Sequence, residues 1–440
     1  MLTKKHFAAG YILTSPAAAQ PLVENGELIV DTPSGKILSV LKRDKKNHSA
    51  SKKAAGFQTI IIPGFINSHT HTDLMVRPKA GEARPSDKTQ RVFSEWVLSL
   101  VKIRDSLDLD QKNRLRIKAF SEFVKSGTTL IGDIIETDSF YNIGGLLLKS
   151  ELIPRVKGFI ELRGLDPAGA PAVLSEFKAF YEKYRDVFKK NENYFSLGIS
   201  PHSIYSVSEG LFRGIIKENS SRGLKIAIHA SEHLSETEFI SGRGGDIAVN
   251  LLPEFKLSKF SKPLKTFPTP IAYLNYLKIL NKNTSIIHAN EINEVDIEII
   301  KKSGANIIHC PRSNAFFNSK KLPLKKILEK GITVSLGTDS LYSNKTLSIL
   351  DELRYAKKIH PGVSSKDLFS MATINGAKAL AFPNVTGTLE PASYGDFIVF
   401  KMDKNIRINE GNIYDNILSL KKSGIIRVVM SGNVVYNNPD

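Results

Sequence analysis

Two histidines stand two places apart in PGFINSHTHTDL (63–74), His69 and His71, at the end of the apolar run QTIIIPGFINSHTH. Ile60, Ile61, Ile62, Phe65 and Ile66 predict a β-strand there. Residues i and i+2 of a strand share a face, so both imidazoles can aim at one point. Seven more short apolar runs end on a polar group. TTLIGDI carries Asp133, RVKGFIEL ends near Glu161 and FSLGISPH ends at His202. LKIAIHASEH carries His229, Glu232 and His233. TSIIHAN carries His288, NIIHCPRSN carries His309 and Asn314, and ITVSLGTDS carries Asp339.

A catalytic zinc takes three or more protein ligands and keeps a position for water. His69, His71, His229 and Asp339 supply three nitrogens and one oxygen. With no soft ligand in the set, zinc is expected and ferrous iron is the alternative. A water on such an ion would ionise near pH ~7 and attack as hydroxide. Glu232, three residues beyond His229, suits a general acid and base that carries a proton from that water to the substrate. His288 could hold the hydroxide or its proton, and Asp339 could accept a proton from the water while bound to the metal. Strand four ends GISPHSIYS, without a lysine to bridge two ions, so one divalent metal is expected.

The elements that must position these groups are also legible. RLRIKAFSEFVKSG (114–127), AVLSEFKAFYEKYRDVF (172–188), SEGLFRGIIKENSSRG (208–223) and EVDIEIIKKSG (294–304) have helical period. Gly127, Gly223 and Gly304 fit helix C-caps. Strand alternating with helix implies a parallel sheet. Eight such units imply a (β/α)8 barrel with its site at the strands' C-terminal ends. Six of the ten histidines fall at those ends: His69, His71, His202, His229, His288 and His309. The flanks read as short strands with turns. The fold expected is therefore α/β: a barrel over 60–384 and a small β-sandwich built from both termini, 1–59 with 385–440. The stretch 232–283, which has little helical pattern around PEFKLSKFSKPLKTFPTP, is a candidate lid.

The chain has 440 residues, a net charge of +17 and one cysteine, Cys310, which excludes an intrachain disulfide. Its lysines are scattered, and the densest runs (41–53 and 255–265) read as solvated loops. No recognition helix, zinc finger or RNA-recognition motif is present, so no nucleic-acid partner is expected. No apolar run reaches the ~18–20 residues that span a bilayer, so no membrane partner is expected. Lys4 and Lys5 before an apolar stretch resemble a signal peptide slightly, but His6 and Gly10 interrupt it and GYILTS reads as an opening strand. A cytoplasmic location is expected.

These motifs resemble the amidohydrolase superfamily, in its cytosine deaminase-like and chlorohydrolase-like branch, over almost the whole chain. PGFINSHTHTDL is similar to the strand-one metal motif and IHASEHLSETE to the strand-five metal histidine with its catalytic glutamate. GITVSLGTDSLYSNKTLSILDELRYA is similar to the strand-eight aspartate and the helix after it. PHSIYSVS resembles a strand-four motif that lies near the purine ring, which puts His202 at the substrate. Within the branch, FSEWVLSLV (93–101), GFIELRG (158–164) and DSLYSNKTLSILDELR resemble aminodeoxyfutalosine deaminases of menaquinone biosynthesis. The resemblance implies a hydrolytic deaminase of a purine nucleoside-type small molecule, acting by metal–hydroxide attack with Glu232 as proton shuttle. It also implies a homodimer, since members often dimerise. Asp73 would contact the ribose, Glu161 would face the substrate, and Arg163, with Arg77 and Arg312, would meet an anionic group. Chlorohydrolase and guanine deaminase are the alternatives on the same scaffold. A non-catalytic scaffold is the alternative of another class, and the full ligand set argues against it.

Overall fold

A computed structural model describes residues 4–43, 58–76, 93–137, 152–382, 385–403 and 405–438. Strands β1 (Lys4–Leu13), β2 (Leu22–Asp31), β3 (Ile37–Lys42) and β4 (Gln58–Pro63) come first. Eight follow: β5 (Phe65–Thr70), β6 (Thr128–Ile135), β7 (Arg155–Leu162), β8 (Phe195–Pro201), β9 (Lys225–Ala230), β10 (Thr284–His288), β11 (Asn306–His309) and β12 (Val334–Leu336). The chain closes with β13 (Phe397–Met402), β14 (Ile425–Met430) and β15 (Asn433–Asn437). β5 to β12 form one parallel sheet in chain order. Its two edges meet where His69 O accepts the backbone N–H of Thr338 and of Asp339, each at 3.1 Å. This is the (β/α)8 barrel.

The strands are apolar on both faces because both are covered. Leu130, Ile134, Phe159, Ala227, Ile287 and Ile308 pack together inside the barrel. Their neighbours Ile131, Ile135, Ile160, Ile226, Ile228, Ile286 and Ile307 pack outward under the helices. The expected helices are present. Leu109–Lys125 starts at a capping box on Asp108, Ala170–Lys190 and Glu209–Asn219 follow, and Glu294–Ser303 ends on Gly304 in the left-handed region (φ 74°).

The other seven strands make one sheet in the order β15-β14-β13-β4-β1-β2-β3, joining both ends of the chain. It curls on itself: Val30 of β2 lies so close to the β14–β15 turn that a Cβ on Gly432 would sit 2.7 Å from its Cγ1. The apolar run at 58–66, expected as one strand, is two strands in two sheets. β4 pairs with β1 and β13, whereas β5 opens the barrel. Residue 60, the expected start of the barrel unit, therefore lies inside the terminal sheet. Proline at 63 has no N–H to extend a ladder, and Gly64 passes so close to Thr129 that a Cβ would clash at 2.2 Å. Apolar patterning reports burial, not the sheet that provides it.

One buried ion pair ties the barrel to the terminal sheet. Arg155, fully buried, donates to both oxygens of Asp396 (2.6 and 3.0 Å) and lies between the rings of Tyr194 and Tyr394 (4.5 and 4.2 Å to the centroids). Removing one partner strands the other charge in the interior. Asp396→Ala is therefore expected to lower stability by about 3–5 kcal/mol in urea unfolding, and a loss below ~1 kcal/mol would show that the pair does not hold the two sheets together.

Candidate metal centre and cavity

The site lies at the C-terminal ends of the barrel strands. His69 is the penultimate residue of β5 and His71 follows that strand. Their Nε2 atoms lie 3.6 and 3.7 Å from Asp339 Oδ1. The His69 ring is 4.9 Å from both His71 and His229, and the His71 ring is 5.5 Å from His229. In two overlapping triads, His69–His71–Asp339 and His69–His229–His288, the potential ligand atoms all lie within 4.8 Å of one another. The structure thus brings His69, His71, His229 and Asp339 together as expected from the sequence.

The surroundings orient these groups. His229 Nδ1 donates to the carbonyl of His202 (3.1 Å), which turns its Nε2 lone pair inward. Asp339 Oδ2 accepts from Ser313 Oγ (2.7 Å) and Ser343 Oγ (2.8 Å), leaving Oδ1 for His69 and His71. Asp133 accepts from Thr72 N (2.9 Å) and Thr72 Oγ1 (2.6 Å), and so pins the turn after His71. Ser231, His288, Ala289 and Asp339 have φ between 52° and 73°, a conformation that costs of order 1–3 kcal/mol per residue and clusters at functional sites. At His288 its use is visible: Ile287 already points into the barrel, and the left-handed turn lets the next residue reach the same cavity.

Electrostatics suit a divalent cation. Burial pushes the His69 imidazole down to about 4 and the His229 imidazole well below its usual range. Both therefore keep neutral lone pairs. Burial opposes charge on Asp339, but His69 and His71 hold its carboxyl well below the usual carboxylate range. Among the described residues, His69 Nε2 is buried without a hydrogen-bond partner. An orphaned lone pair among two further imidazoles and a carboxylate fits a zinc-type ion held by His69, His71, His229 and Asp339.

Glu232 lies beside this cluster, with Oε1 3.5 Å from His288 Nε2. Burial, with Asp339 adding to it, pushes its carboxyl up to about 8, so it keeps a proton at neutral pH. Glu236 accepts the backbone N–H groups of Ser231 (3.2 Å) and Glu232 (2.7 Å) and fixes that turn.

A cavity of about 460 Å³ opens above the cluster. His71, His202, His229, Glu232, His288 and Asp339 line its floor. One wall is apolar, made by Trp96, Val97, Leu100 and Val101 from the helix Phe93–Ser106 and by Leu251, Leu252, Phe255 and Leu257 from the expected lid segment. Arg104 and Arg163 line its rim. Arg163 Nη2 donates to Glu136 (2.8 Å) and to Glu161, and Lys112 Nζ donates to Glu136 (3.0 Å). Burial pushes the Glu161 carboxyl up, but Arg163, His202, His71 and Arg104 outweigh it and hold it at about 2. Arg104 Nε lies 3.4 Å from Glu136 and 3.8 Å from Asp105, so the rim is a network of paired cations and carboxylates with two guanidinium groups on the cavity side.

Glu161 itself is absent from the cavity wall; it sits behind it, against Arg163 and 3.8 Å from His202 Nε2. Asp73, expected at the ribose, is buried in the turn Thr72–Leu74 and does not line the cavity either. Arg312 is turned away: it pairs with buried Glu352 (3.6 Å) and lies over Tyr355. Arg77 lies outside the described residues. Arg104, Glu136, Ser313 and Ser343 were not singled out from the sequence. Ser313 sits inside the HCPRSN motif, one place before Asn314, and that spacing was the one available signal.

The amidohydrolase family model matches residues 60–435. A 5-methylthioadenosine/S-adenosylhomocysteine deaminase of Thermodesulfovibrio yellowstonii is 25% identical over 98% of this chain and 92% of its own. An aminodeoxyfutalosine deaminase of Deinococcus radiodurans is 25% identical over 76% of this chain and 75% of its own. The crystal structure of Helicobacter pylori aminofutalosine deaminase with methylthio-coformycin superposes with a TM-score of 0.79 at 24% identity, covering 98% of this chain and all of the other.

Proposed function

The chain belongs to the amidohydrolase family and is a hydrolase acting on C–N bonds, and on that premise we propose that it deaminates an adenosine-type nucleoside at its purine ring. The observation that carries the reading is the placement of a protonated carboxyl, Glu232, beside a three-histidine, one-aspartate cluster on a cavity floor. A divalent ion held by His69, His71, His229 and Asp339 would lower the pKa of a water toward ~7 and supply the nucleophile. The chain's own groups do the rest. Glu232 donates its proton to the ring nitrogen next to the carbon that loses its amino group, which makes that carbon electrophilic. His288, its Nε2 3.5 Å from Glu232, takes one proton of the attacking water and hands it to the Glu232 carboxylate, which restores the acid. Asp339, its Oδ2 held by two serines, accepts the other proton of the water and passes it to the departing amine, which leaves as ammonia while the ring nitrogen keeps its own.

The shape of the cavity supports a nucleoside with an apolar 5′ substituent rather than a bare base. A purine on the histidine floor would leave the Trp96–Leu252 wall uncovered. The arginine rim supports an acidic group at the far end of that substituent. Aminodeoxyfutalosine, a carboxyphenyl adenosine derivative, has both features, and a named relative acts on it. The residues proposed to meet the substrate are His202 and Arg163, with Glu161 holding both in place. The experiment is ammonia release by zinc-loaded protein from aminodeoxyfutalosine, methylthioadenosine, S-adenosylhomocysteine, adenosine, guanine and a chlorotriazine. Aminodeoxyfutalosine should give the highest kcat/KM, exceeding adenosine by about 10-fold or more, the worth of a filled apolar subsite. Guanine or the chlorotriazine as best substrate would replace this reading with another chemistry of the scaffold.

A further inference from the structure

Behind His288 runs a chain of buried polar side chains whose donors and acceptors can be assigned one after another from a single fixed point. The fixed point is the backbone carbonyl of Glu232, which can only accept. Asn290 Nδ2 donates to it at 3.2 Å. Asn290 Oδ1 must then face the other way, where it accepts from Asn314 Nδ2 at 2.7 Å. That leaves Asn314 Oδ1 toward His288 Nδ1, at 2.9 Å. An amide oxygen cannot donate, so the proton in this bond belongs to the imidazole.

We infer that Asn314 is a positioning residue: it fixes the proton of the neutral His288 ring on Nδ1 and so leaves Nε2 as a lone-pair acceptor facing Glu232. The second N–H of the same amide secures its orientation, donating to His309 Nδ1 at 3.2 Å. His309 then carries its proton on Nε2 and donates it to His360 Nε2, also at 3.2 Å. Burial holds the His309 ring well below its usual range, in keeping with a neutral ring that carries one proton. Every member of the chain is buried: His288, Asn290 and His309 are 1% exposed, Asn314 5% and His360 9%. With water excluded, an acceptor set against an acceptor would be costly, so the sequence of donors has one consistent solution. It explains why His309, at a strand end like the ligand histidines, sits outside the cavity: it buttresses the asparagine that orients the catalytic ring.

The tautomer follows from geometry alone, whereas its consequence for turnover rests on the deaminase reading. With Nε2 unprotonated, His288 can take a proton from the attacking water and hand it to the Glu232 carboxylate; with the proton already on Nε2 it has no lone pair there and the relay would be blocked. The test is long-range 1H–15N correlation NMR of 15N-histidine-labelled, zinc-loaded protein, with His288 assigned by its absence in His288→Gln. In the wild type His288 should show a pyrrole-type Nδ1 and a pyridine-type Nε2. Asn314→Leu removes the acceptor. The proton should move to Nε2, the position free imidazole side chains prefer, and kcat should fall by about 10–100-fold with KM near wild type. Asn314→Asp keeps an oxygen opposite Nδ1 and should keep the wild-type pattern. A wild-type His288 protonated on Nε2, or an unchanged pattern in Asn314→Leu, would overturn the inference. If the leucine variant does not fold, the wild-type spectrum alone still decides. If the expected tautomer is found but no purine nucleoside is deaminated, the functional reading fails and the assignment of Asn314 stands.

Discussion

Glu232→Gln is expected to keep its metal and its substrate affinity while turnover falls by about 10²–10⁴-fold, the usual worth of a positioned acid–base group. The purine carbon is a poor electrophile until its neighbouring nitrogen is protonated. The group that delivers that proton must hold it at neutral pH, reach both water and ring, and recover it afterwards. Glu232 meets the first condition because burial pushes its carboxyl up to about 8. It meets the second because it lines the cavity beside His229 and Asp339. Glutamine has the same shape and can still donate a hydrogen bond, but it cannot part with a proton. Steady-state kinetics should therefore show kcat collapsing with KM almost unchanged. Turnover near the wild-type rate would place the general acid elsewhere, and buried Glu236, whose carboxyl is also pushed up to about 8, would be the next residue to examine.

The second large effect is expected at the ligands. His71→Ala removes one of four donors from the His69–His71–His229–Asp339 cluster. If a four-ligand site is worth about 10–16 kcal/mol at neutral pH, one ligand carries roughly a quarter of it, so zinc affinity should fall by about 10²-fold or more. After dialysis against a weak chelator, elemental analysis should find about one ion per chain in the wild type and close to none in the variant. Full metal retention by His71→Ala would remove His71 from the ligand set. The comparison is informative because His71 is the most exposed of the four, with 15% of its side chain accessible, so its loss should disturb the barrel least.

The cluster proposed to hold the metal was legible in the sequence for a physical reason. A parallel barrel delivers all its strand ends to one face, so a polar group closing each apolar run is already a spatial statement. His69, His229 and Asp339 are recognisable in this way although 270 positions separate the first from the last. The same logic could not tell His309 from the clustered histidines, because its strand end is equivalent and only its bonds to Asn314 and His360 divert it. Nor could it divide the run at 58–66 between two sheets, since apolar residues buried in either look alike. Charge partners were the least legible. Arg163 and Arg312 are equivalent as letters; Glu136 and Glu161 hold one at the cavity rim, while Glu352 holds the other away from it. The stretch 232–283 was legible as a candidate lid, but Leu251, Leu252, Phe255 and Leu257 were not legible as a cavity wall, because one short helical turn carries no period to read.

The central claim is hydrolytic, metal-dependent deamination of a purine nucleoside, and water labelled with 18O tests it most directly. Zinc-loaded protein incubated with aminodeoxyfutalosine or methylthioadenosine in labelled water should release one ammonia per product molecule. Each product should carry one 18O at the carbon that bore the amino group. Chelation should stop the reaction, and added zinc should restore it. Product without the label, or a reaction indifferent to chelation, would contradict the account.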